Sequence, residues 1–220
     1  MTRSQNEHTP TSRGRRRTEK LLDTALEVFL EQGYEGASVN EIVRRAGGSL
    51  ATLYKHFGNK EGLFIAMIER RALDVFAPLE QATLANHSPA IALHTFGIKL
   101  LELMLAPETL ATYRLVINEA HRHPHLAQQF MDHGPFRVRR ALADYLGWQS
   151  AQGRITVDDC WQAAAEFSGM LLGDIHIQAL VGLAPQLDDH SRHLRVMRTL
   201  DRFLNGVTIH PLTPSLITGS

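Results

Sequence analysis

Hydrophobic residues recur along most of the chain with the period of an α-helix. In the segment TEKLLDTALEVFLEQG, Leu21, Val28 and Phe29 fall at positions i, i+7 and i+8 and therefore share one face. Gly33 follows this segment, and glycine is typical of the left-handed conformation that ends a helix. The pattern predicts a first helix over about residues 16–32. Alternating patterns typical of strands are nearly absent, which indicates an all-α protein.

A short second helix is predicted in the segment ASVNEIVRRAGG. Ser38 and Glu41 have the spacing of a capping box, in which both side chains bond free N–H groups at the start of a helix. Gly47 and Gly48 would end this helix after about two turns. Because short helices gain little stability from intrinsic propensity, packing must hold this one in place.

A third short helix follows directly after the two glycines. Ser49 can cap it, and Leu53 and Phe57 would point into the core from one face. Asn59 can cap a fourth helix, which starts with KEGLF. Two short helices joined by a tight glycine turn have the organisation of a helix-turn-helix, whose second helix enters the major groove of DNA.

The outward face of the third helix carries side chains that suit DNA. Lys55 and His56 can reach phosphates or guanine acceptors, and Thr52 can donate a hydrogen bond. Tyr54 can offer its hydroxyl to a phosphate while its ring packs. Lys60 lies at the start of the fourth helix, where free backbone N–H groups also favour an anion.

Four consecutive motifs between Arg17 and Phe64, namely GYEGASV, RRAGGS, LYKHF and NKEGLF, resemble the DNA-binding domain of TetR-family transcriptional regulators. The resemblance implies an all-α homodimer. It also implies an N-terminal three-helix helix-turn-helix domain, followed by a helical domain for dimerisation and for binding a small-molecule effector. Carried over by position, the DNA-contacting candidates are Ser49, Leu50, Ala51, Thr52, Tyr54, Lys55, His56 and Lys60.

Two positions depart from the common pattern of the family. Gly48 stands where many relatives carry valine, which predicts a looser turn. Leu50 stands where many relatives carry a polar or basic residue. It can touch a thymine methyl group, as Ala51 can, or simply remain exposed to solvent. These departures leave the operator sequence open.

Beyond about residue 85 the periodicity predicts a larger helical region. Helices are expected near residues 88–105, 107–122, 125–151, 157–182 and 187–205, with prolines and glycines between them. We therefore divide the chain into four parts. They are a disordered basic arm (1–15), a helix-turn-helix domain (16–62), a helical ligand-binding and dimerisation domain (63–208) and an irregular tail (209–220).

The segment ETLATYRLVINEAHRHPHLAQQFMDHGPFRVRRALADYL more loosely resembles the ligand-binding domain of an AefR-like subgroup of the same family. Residues expected to face inward on the middle helices are candidates for an effector pocket. They are Met104, Tyr113, Ile117, His121, Phe167, Met170, Leu171 and Asp174. About half of this set is expected to be ordinary core, because a methionine or an aromatic residue at helical spacing usually packs.

Asp174 lies in the long apolar stretch EFSGMLLGDIHIQALVGL. A buried aspartate is rare unless it is paired. Its carboxylate would therefore either meet a cationic or hydrogen-bonding ligand in an apolar cavity, or pair with an arginine or a histidine of the same chain.

The family resemblance also implies that the last two helices, near 157–182 and 187–205, form the dimer interface. Two helices from each subunit would make a four-helix bundle. A stripe on the last helix is compatible with this role, although it could also pack within its own subunit. It consists of Leu194, Met197, Leu200 and Leu204.

Charge and composition exclude some kinds of site and locate the basic part of the chain. The 220 residues include 23 Lys+Arg and 23 Asp+Glu, so the protein as a whole has no net charge to attract DNA. Residues 1–20 hold six basic and two acidic side chains, which makes this end basic. The single cysteine, Cys160, excludes an intramolecular disulfide and a cysteine-rich zinc site. We expect no membrane span, no secretory signal and a cytoplasmic location.

Three histidines, His121, His123 and His125, flank Pro124. Histidines four residues apart can share a helix face and bind a metal. Pro124 disfavours helical geometry at His123, however, so His121 and His125 are expected on different helices. No recognisable set of further ligands lies nearby. We therefore expect surface or pocket histidines, with no metal and no cofactor.

These patterns support a ligand-responsive, DNA-binding transcriptional regulator, expected to be a repressor that releases a palindromic operator when a small molecule binds. A dimer would place two recognition helices about 34–36 Å apart, one turn of DNA. One alternative is a regulator controlled by a protein partner. The other is a helical enzyme using His121, His176 and Asp174, but the sequence has neither a nucleophile elbow nor a phosphate-cradling loop.

Overall fold

The computed structural model describes residues 12–84, 87–183 and 187–206. Within these ranges the chain forms eleven helices and no strand, as the hydrophobic pattern predicts. The helices are α1 (Ser12–Gly36), α2 (Val39–Ala46), α3 (Leu50–Phe57), α4 (Lys60–Leu84), α5 (Pro89–Leu105), α6 (Pro107–Glu119), α7 (Pro124–His133), α8 (Pro135–Ala151), α9 (Cys160–Leu172), α10 (Ile175–Leu180) and α11 (Asp189–Gly206). The predicted basic arm and irregular tail lie outside the described residues, except that residues 12–15 belong to α1.

The described residues form two compact units. The first holds the residues up to Arg70 together with Leu115–Phe130, and the second holds Arg71–Arg114 together with the residues from Met131 onward. This division differs from the boundary predicted at residue 62, because α4, α6 and α7 each contribute to both units. A boundary inside a continuous helix leaves the hydrophobic period unchanged, so the pattern carries no sign of it.

The first unit packs around three aromatic rings. Phe29 stacks on Tyr34 with their centroids 5.6 Å apart, and Phe64 meets both rings edge-on at 5.6 and 5.5 Å. Gly33 separates Phe29 from Tyr34 with a φ of 74°, which only glycine adopts without strain, so the axis of α1 breaks there. The predicted end of the first helix is therefore confirmed as a kink that turns the Tyr34 ring back onto Phe29.

The second unit has α5 in its core. Leu93, Phe96 and Leu101 on this helix are fully buried. The Phe167 ring on α9 lies 6.0 Å from the Phe96 ring and 5.2 Å from the ring of Phe203 on α11. These contacts join α5, α9 and α11 into one layer of apolar side chains, against which α8 also packs.

Two predicted helices are interrupted in the structure. The helix expected over 125–151 ends at His133 and restarts as α8 at Pro135, because proline lacks the N–H group that would continue the ladder but fits the first turn of a new helix. The helix expected over 157–182 breaks at Gly173, which has a φ of 49°. The single long helices predicted for these two segments are therefore wrong.

The break between α9 and α10 is held by a distant arginine. Arg195 on α11 donates hydrogen bonds to the carbonyl oxygens of Leu171 and Leu172, which end α9. A Cβ atom at Gly173 would come within 2.9 Å of the Arg195 guanidinium. The break therefore needs glycine both for its backbone conformation and for the approach of the arginine.

No single helix in the described part of the chain is long and apolar enough to cross a membrane. By length and composition alone, α5 and α6 would pass the same test as a pair, with a 61° bend between them.

Candidate DNA-binding and effector sites

The turn between α2 and α3 is closed by backbone hydrogen bonds. Gly47 adopts the left-handed conformation (φ 75°), and the N–H groups of Gly47 and Gly48 both donate to the carbonyl oxygen of Val43, at 3.0 and 3.1 Å. These bonds close the turn, and its looseness relative to a turn with valine at position 48 stays a prediction. A Cβ atom at Gly48 would meet no atom within 4 Å of it, so this position has room for a side chain.

Only one of the two predicted serine caps forms. Ser49 Oγ accepts the backbone N–H of Thr52 at 3.2 Å and lies 2.8 Å from Thr52 Oγ1. Within the part of the chain that the structure describes, Ser38 makes no side-chain capping bond, so the predicted capping box is wrong. Its other member, Glu41, is engaged elsewhere: the carboxylate accepts hydrogen bonds from Arg44 and Arg45. These bonds lower the pKa of Glu41 to about 2.

The predicted recognition face lies on the surface of α3. Leu53 is fully buried and Phe57 is half-buried, which fixes the orientation of the helix. Tyr54 is 51% exposed and Leu50 is 37% exposed. The other candidates on or before this helix are also exposed: Ser49, Ala51, Thr52, Lys55 and His56. Their exposure agrees with the periodicity, while their contacts with DNA stay a prediction.

Lys60 has a structural partner that the sequence did not reveal. Its ammonium group donates to the carbonyl oxygens of Tyr34 and Glu35, at 2.9 and 3.1 Å, and lies 4.8 Å from the centroid of the Tyr34 ring. It thus ties the start of α4 to the end of α1. Burial, with the nearby carboxylates of Glu61 and Glu35, raises the pKa of Tyr34 to about 12. A phosphate contact by Lys60 stays a prediction.

Gly62 sets the distance between α3 and α4. The predicted cap by Asn59 is present, since its Oδ1 accepts the Gly62 N–H at 2.8 Å. A Cβ atom at Gly62 would lie only 2.0 Å from the carbonyl oxygen of Phe57, the last residue of α3. The first turn of α4 can therefore sit against the end of α3 only because this residue has no side chain. No pattern in the sequence marks this contact, and the φ of Gly62 is an ordinary one.

Two histidines, His123 just before α7 and His125 in its first turn, lie close to carboxylates of the first unit. His123 Nε2 lies 3.3 Å from Glu35 Oε1 and 3.8 Å from Glu119 Oε2, and His125 Nε2 lies 2.8 Å from Glu61 Oε1. These pairs connect the α6–α7 turn to α1 and α4. Among the described residues, no group of three or more His, Cys, Asp or Glu side chains is placed to hold a metal ion.

The eight pocket candidates separate into three groups. Phe167 and Leu171 are fully buried core residues. Met104 and Tyr113 are partly buried and in contact, with the tyrosine hydroxyl 3.8 Å from the thioether sulfur. The remaining four were predicted to face inward, and this was wrong, because each is exposed on the chain. They are Ile117 (59% exposed), Met170 (41%), His121 and Asp174.

Asp174 is exposed because the helix breaks at the residue before it. The break at Gly173 resets the helical phase, so Asp174 precedes α10 and does not continue the buried face of Phe167 and Leu171. Its carboxylate accepts a hydrogen bond from the Gln178 side chain at 2.6 Å. Because it is exposed, it does not enter an apolar cavity, and it pairs with no arginine or histidine among the described residues, so both predictions are wrong.

The structure adds His176 to the contact between Met104 and Tyr113. His176 Nδ1 lies 3.0 Å from the Met104 carbonyl oxygen, and its ring meets the Tyr113 ring edge-on at 4.9 Å. Burial lowers the pKa of His176, against the opposing effect of the bond to Met104. Burial likewise raises the pKa of Tyr113 to about 12. In the sequence, His176 is a candidate only for the enzyme alternative.

The apolar stripe on α11 is partly exposed. Leu194 is 38% and Met197 is 46% exposed, whereas Leu200 is buried and Leu204 is half-buried. A groove of about 500 Å³ between α5 and α11 is lined by the last three of these together with residues of α5 such as Ile91. The stripe thus packs within its own subunit at one end and reaches solvent at the other.

Comparison with known proteins identifies the architecture. Residues 91–206 match the family model described as "AefR-like transcriptional repressor, C-terminal domain", and residues 21–67 match that of "Bacterial regulatory proteins, tetR family". The chain belongs to the TetR family. It is therefore a helix-turn-helix, DNA-binding transcriptional regulator, and the all-α fold and the family resemblance found in the sequence are both confirmed.

Relatives of this TetR-family protein extend over most of its length. The transcriptional regulator YvkB of Bacillus subtilis is 24% identical over 157 residues, 70% of this chain and 78% of YvkB. A solved TetR-family regulator from Mesorhizobium loti is 27% identical, covers 89% of this chain and 98% of its own, and superposes with a TM-score of 0.71. The flavonoid-responsive regulator FrrA is 28% identical, covers 87% and 96%, and has a TM-score of 0.64.

Proposed function

We propose that this TetR-family protein is a ligand-responsive repressor. It binds a palindromic operator as a homodimer through α3, and it releases the operator when a small molecule binds the second unit. It acts in the cytoplasm, on double-stranded DNA. The observation that carries the proposal is the exposed, hydrogen-bonding face of α3, held rigidly by the Ser49 cap and by the Gly62 contact with the end of that helix.

The side chains on this face divide by chemistry into two roles. Lys55, His56 and the Tyr54 hydroxyl are suited to phosphates, which fix the position of a protein on DNA. Ser49 and Thr52 bond each other and lie at the start of α3, the end of a recognition helix that approaches base edges. Leu50 and Ala51, the apolar members of this end, would contact thymine methyl groups.

The dimer is supported by exposed apolar side chains on the last helices. Met170 on α9 and Leu194 and Met197 on α11 are each between 38% and 46% exposed. A large apolar side chain at the surface is stabilised when a second subunit covers it. We expect Met197→Glu to shift the chain from dimer to monomer in analytical ultracentrifugation, with Arg198→Glu, the exposed neighbour, as the matched control.

The effector response is supported by the way α6 joins the two units. Tyr113 and Arg114 on this continuous helix belong to the second unit, and Glu119 near its end belongs to the first. Glu119 lies beside His123, which is paired with Glu35 of α1. A compound that binds more tightly when α6 is in one of two positions would therefore favour that position and the contacts that Glu119 makes in it. The size of the shift is set by the difference in the compound's affinity for the two positions.

The DNA contacts can be tested by gel-shift titration on the promoter region beside the protein's own gene, at several salt concentrations. Lys55→Ala should weaken binding and reduce the slope of log K against log salt by about 0.9, the value for one phosphate contact. Tyr54→Phe should weaken binding roughly 2- to 10-fold, as the loss of one hydrogen bond does. Lys99→Ala, which removes an exposed lysine of the second unit, is the matched control.

If both variants bind with the affinity and the salt slope of the unchanged chain, α3 does not contact the operator as proposed. Lys60→Ala is a poor test of phosphate contact, since it also removes the ties to Tyr34 and Glu35. The effector arm adds a small-molecule library, including flavonoids because of the relative FrrA, to the same titration. If no compound weakens DNA binding while a cell extract does, control by a protein partner replaces control by a ligand.

A further inference from the structure

The His176 side chain has one satisfied and one unsatisfied nitrogen. Nδ1 bonds the carbonyl oxygen of Met104, which is one of the last carbonyls of α5 and has no partner within that helix. Nε2 is buried and has no hydrogen-bonding partner among the residues that the structure describes. Buried polar atoms of this kind are rare in folded proteins, so each one calls for an explanation.

The bond to Met104 fixes which nitrogen carries the proton. A carbonyl oxygen can only accept a hydrogen bond, so Nδ1 must be the donor. Burial lowers the pKa of His176, which keeps the ring neutral near pH 7. In the neutral ring with a proton on Nδ1, Nε2 carries a lone pair. The unsatisfied atom is therefore an acceptor, and it requires a donor.

The contacts that His176 makes in the described part of the chain are with neutral groups. The Tyr113 ring lies edge-on at 4.9 Å, and its hydroxyl stays protonated because burial raises its pKa to about 12. The Tyr113 hydroxyl in turn lies 3.8 Å from the thioether sulfur of Met104, a neutral and largely apolar group. Arg114 is turned to other partners, since its guanidinium donates to the carbonyl oxygens of Ala179 and Leu180, both at 2.8 Å. A charged group beside Nε2 would thus lose its hydration without gaining a counter-ion.

The same residues connect three helices. His176 ties α10 to the end of α5, and Arg114 ties α6 to the end of α10. A molecule bonded to Nε2 would therefore contact the point at which α5, α6 and α10 meet. A molecule bound at this position can therefore alter how these three helices pack against one another.

We propose that His176 Nε2 accepts a hydrogen bond from the hydroxyl group of the effector, which is a neutral and largely apolar alcohol or phenol. The proposal rests on the ligand-responsive function given above and names the chemical class of the effector. The Tyr113 ring and the Met104 thioether provide the apolar contact for the rest of the molecule. Carboxylates and other anions are excluded, because Nε2 offers them no proton.

The test uses the full-length chain and four probes: 2-naphthol, 2-methoxynaphthalene, naphthalene and naphthalene-2-carboxylate. Dissociation constants are measured by isothermal titration calorimetry. We expect 2-naphthol to bind at least 10-fold more tightly than each of the other three. Equal binding of the methyl ether or tighter binding of the carboxylate would overturn the proposal, and so would the absence of saturable 2-naphthol binding.

Two substitutions separate recognition from structure. Asparagine in His176→Asn can place its amide N–H near the position of Nδ1 and keep the bond to Met104, but it has no acceptor at Nε2. Glutamine in His176→Gln reaches the Nε2 position with an amide oxygen. We expect His176→Asn to lose the preference for 2-naphthol and His176→Gln to keep part of it. A preference retained by His176→Asn would contradict the assignment.

A measurement on the unchanged chain guards against variants that fail to fold. Long-range ¹H–¹⁵N spectra distinguish the two histidine tautomers, and the His176 signals are those that disappear in either variant. We expect a protonated Nδ1 and an unprotonated Nε2 that shifts when 2-naphthol is added. A proton on Nε2 would refute the proposal, because the nitrogen would then be a donor.

Failure of this site and failure of the proposed function give different results. If 2-naphthol binds through His176 but neither it nor any library compound weakens operator binding, the site stands and the ligand-responsive function falls. If another compound releases the operator equally from His176→Asn and from the unchanged chain, the function stands and the site falls. Gel shifts without any probe report DNA binding independently of both.

Discussion

The contact between Gly62 and the end of α3 makes a quantitative prediction for Gly62→Ala. A Cβ atom there would lie 2.0 Å from the Phe57 carbonyl oxygen, and real Cβ atoms essentially never come closer than 3.0 Å to an atom outside their own residue and its chain neighbours. The gap must therefore open by at least 1 Å. The Phe57 carbonyl oxygen is a backbone atom, so no side-chain rotation can relieve the clash.

The expected cost follows from the bonds on either side of the clash. The Phe57 carbonyl oxygen accepts the Asn59 N–H at 2.8 Å, and Asn59 Oδ1 in turn caps the Gly62 N–H at 2.8 Å. Overpacking costs about 1–3 kcal/mol and occasionally more, and a lost cap costs about 1 kcal/mol. Replacing glycine by alanine inside a helix stabilises the helix by about 1 kcal/mol, which offsets part of these costs. We therefore expect Gly62→Ala to lower the free energy of unfolding by about 1–3 kcal/mol, because the lost cap and the gain in helix propensity nearly cancel.

Urea unfolding followed by circular dichroism, at one fixed protein concentration, measures this loss. The matched control is Gly48→Ala in the neighbouring turn, where a Cβ atom meets nothing within 4 Å and φ is not positive. This control should be unchanged or more stable by up to about 1 kcal/mol. A Gly62→Ala variant within about 0.5 kcal/mol of the unchanged chain would refute the reasoning, since α3 and α4 would then separate freely.

Two further predictions concern the ends of α2 and α3. Ser49→Ala should lower the free energy of unfolding by about 1 kcal/mol in the same urea assay, because it removes the bond to the Thr52 N–H. Ser38 makes no capping bond to the described residues, so Ser38→Ala should lower it by only a few tenths of a kcal/mol. Equal losses would contradict the assigned caps. The pKa of Glu41 falls from 4.5 to about 2 through its bonds with Arg44 and Arg45. Because this pKa is depressed in the folded state, its contribution to stability should be complete above about pH 4.5 and lost as the pH falls towards 2. Carboxyl NMR titration measures it directly, and a Glu41 midpoint near 4.5 would show that the two arginine bonds do not form.

Local signals in the sequence predicted α2, α3 and α5 to within about a residue. Each of these helices is bounded by residues that act on their own neighbours. They are the Ser49 cap, the glycine turn after Ala46 and Pro89 at the first position of α5. The buried Leu53 and the exposed Tyr54 likewise follow from helical periodicity alone. The outward face of α3 was therefore predictable, because it depends on contacts within a few residues.

Capping by distant residues was not predictable. Lys60 caps the end of α1 from 25 and 26 residues away, Arg195 caps α9 from 23 and 24, and Arg114 caps α10 from 65 and 66. His176 caps α5 from 72 residues away. In each case a long side chain satisfies the carbonyl groups that a helix leaves free at its C-terminus. Nothing local marks which lysine, arginine or histidine takes this role.

The sequence by itself determined the helical class, the position of the helix-turn-helix and the outward face of α3, because these depend on the spacing of apolar residues and on neighbouring caps. Only the tertiary structure decided the rest. In the structure, two long periodic segments are interrupted, at Gly173 and before Pro135. Asp174 and Ile117 lie at the surface. The His176 side chain contacts Met104 and Tyr113. The spacing of apolar residues in a sequence does not show where a helix is broken or which element packs against it. The pattern therefore indicates that a face is apolar but not what lies against that face.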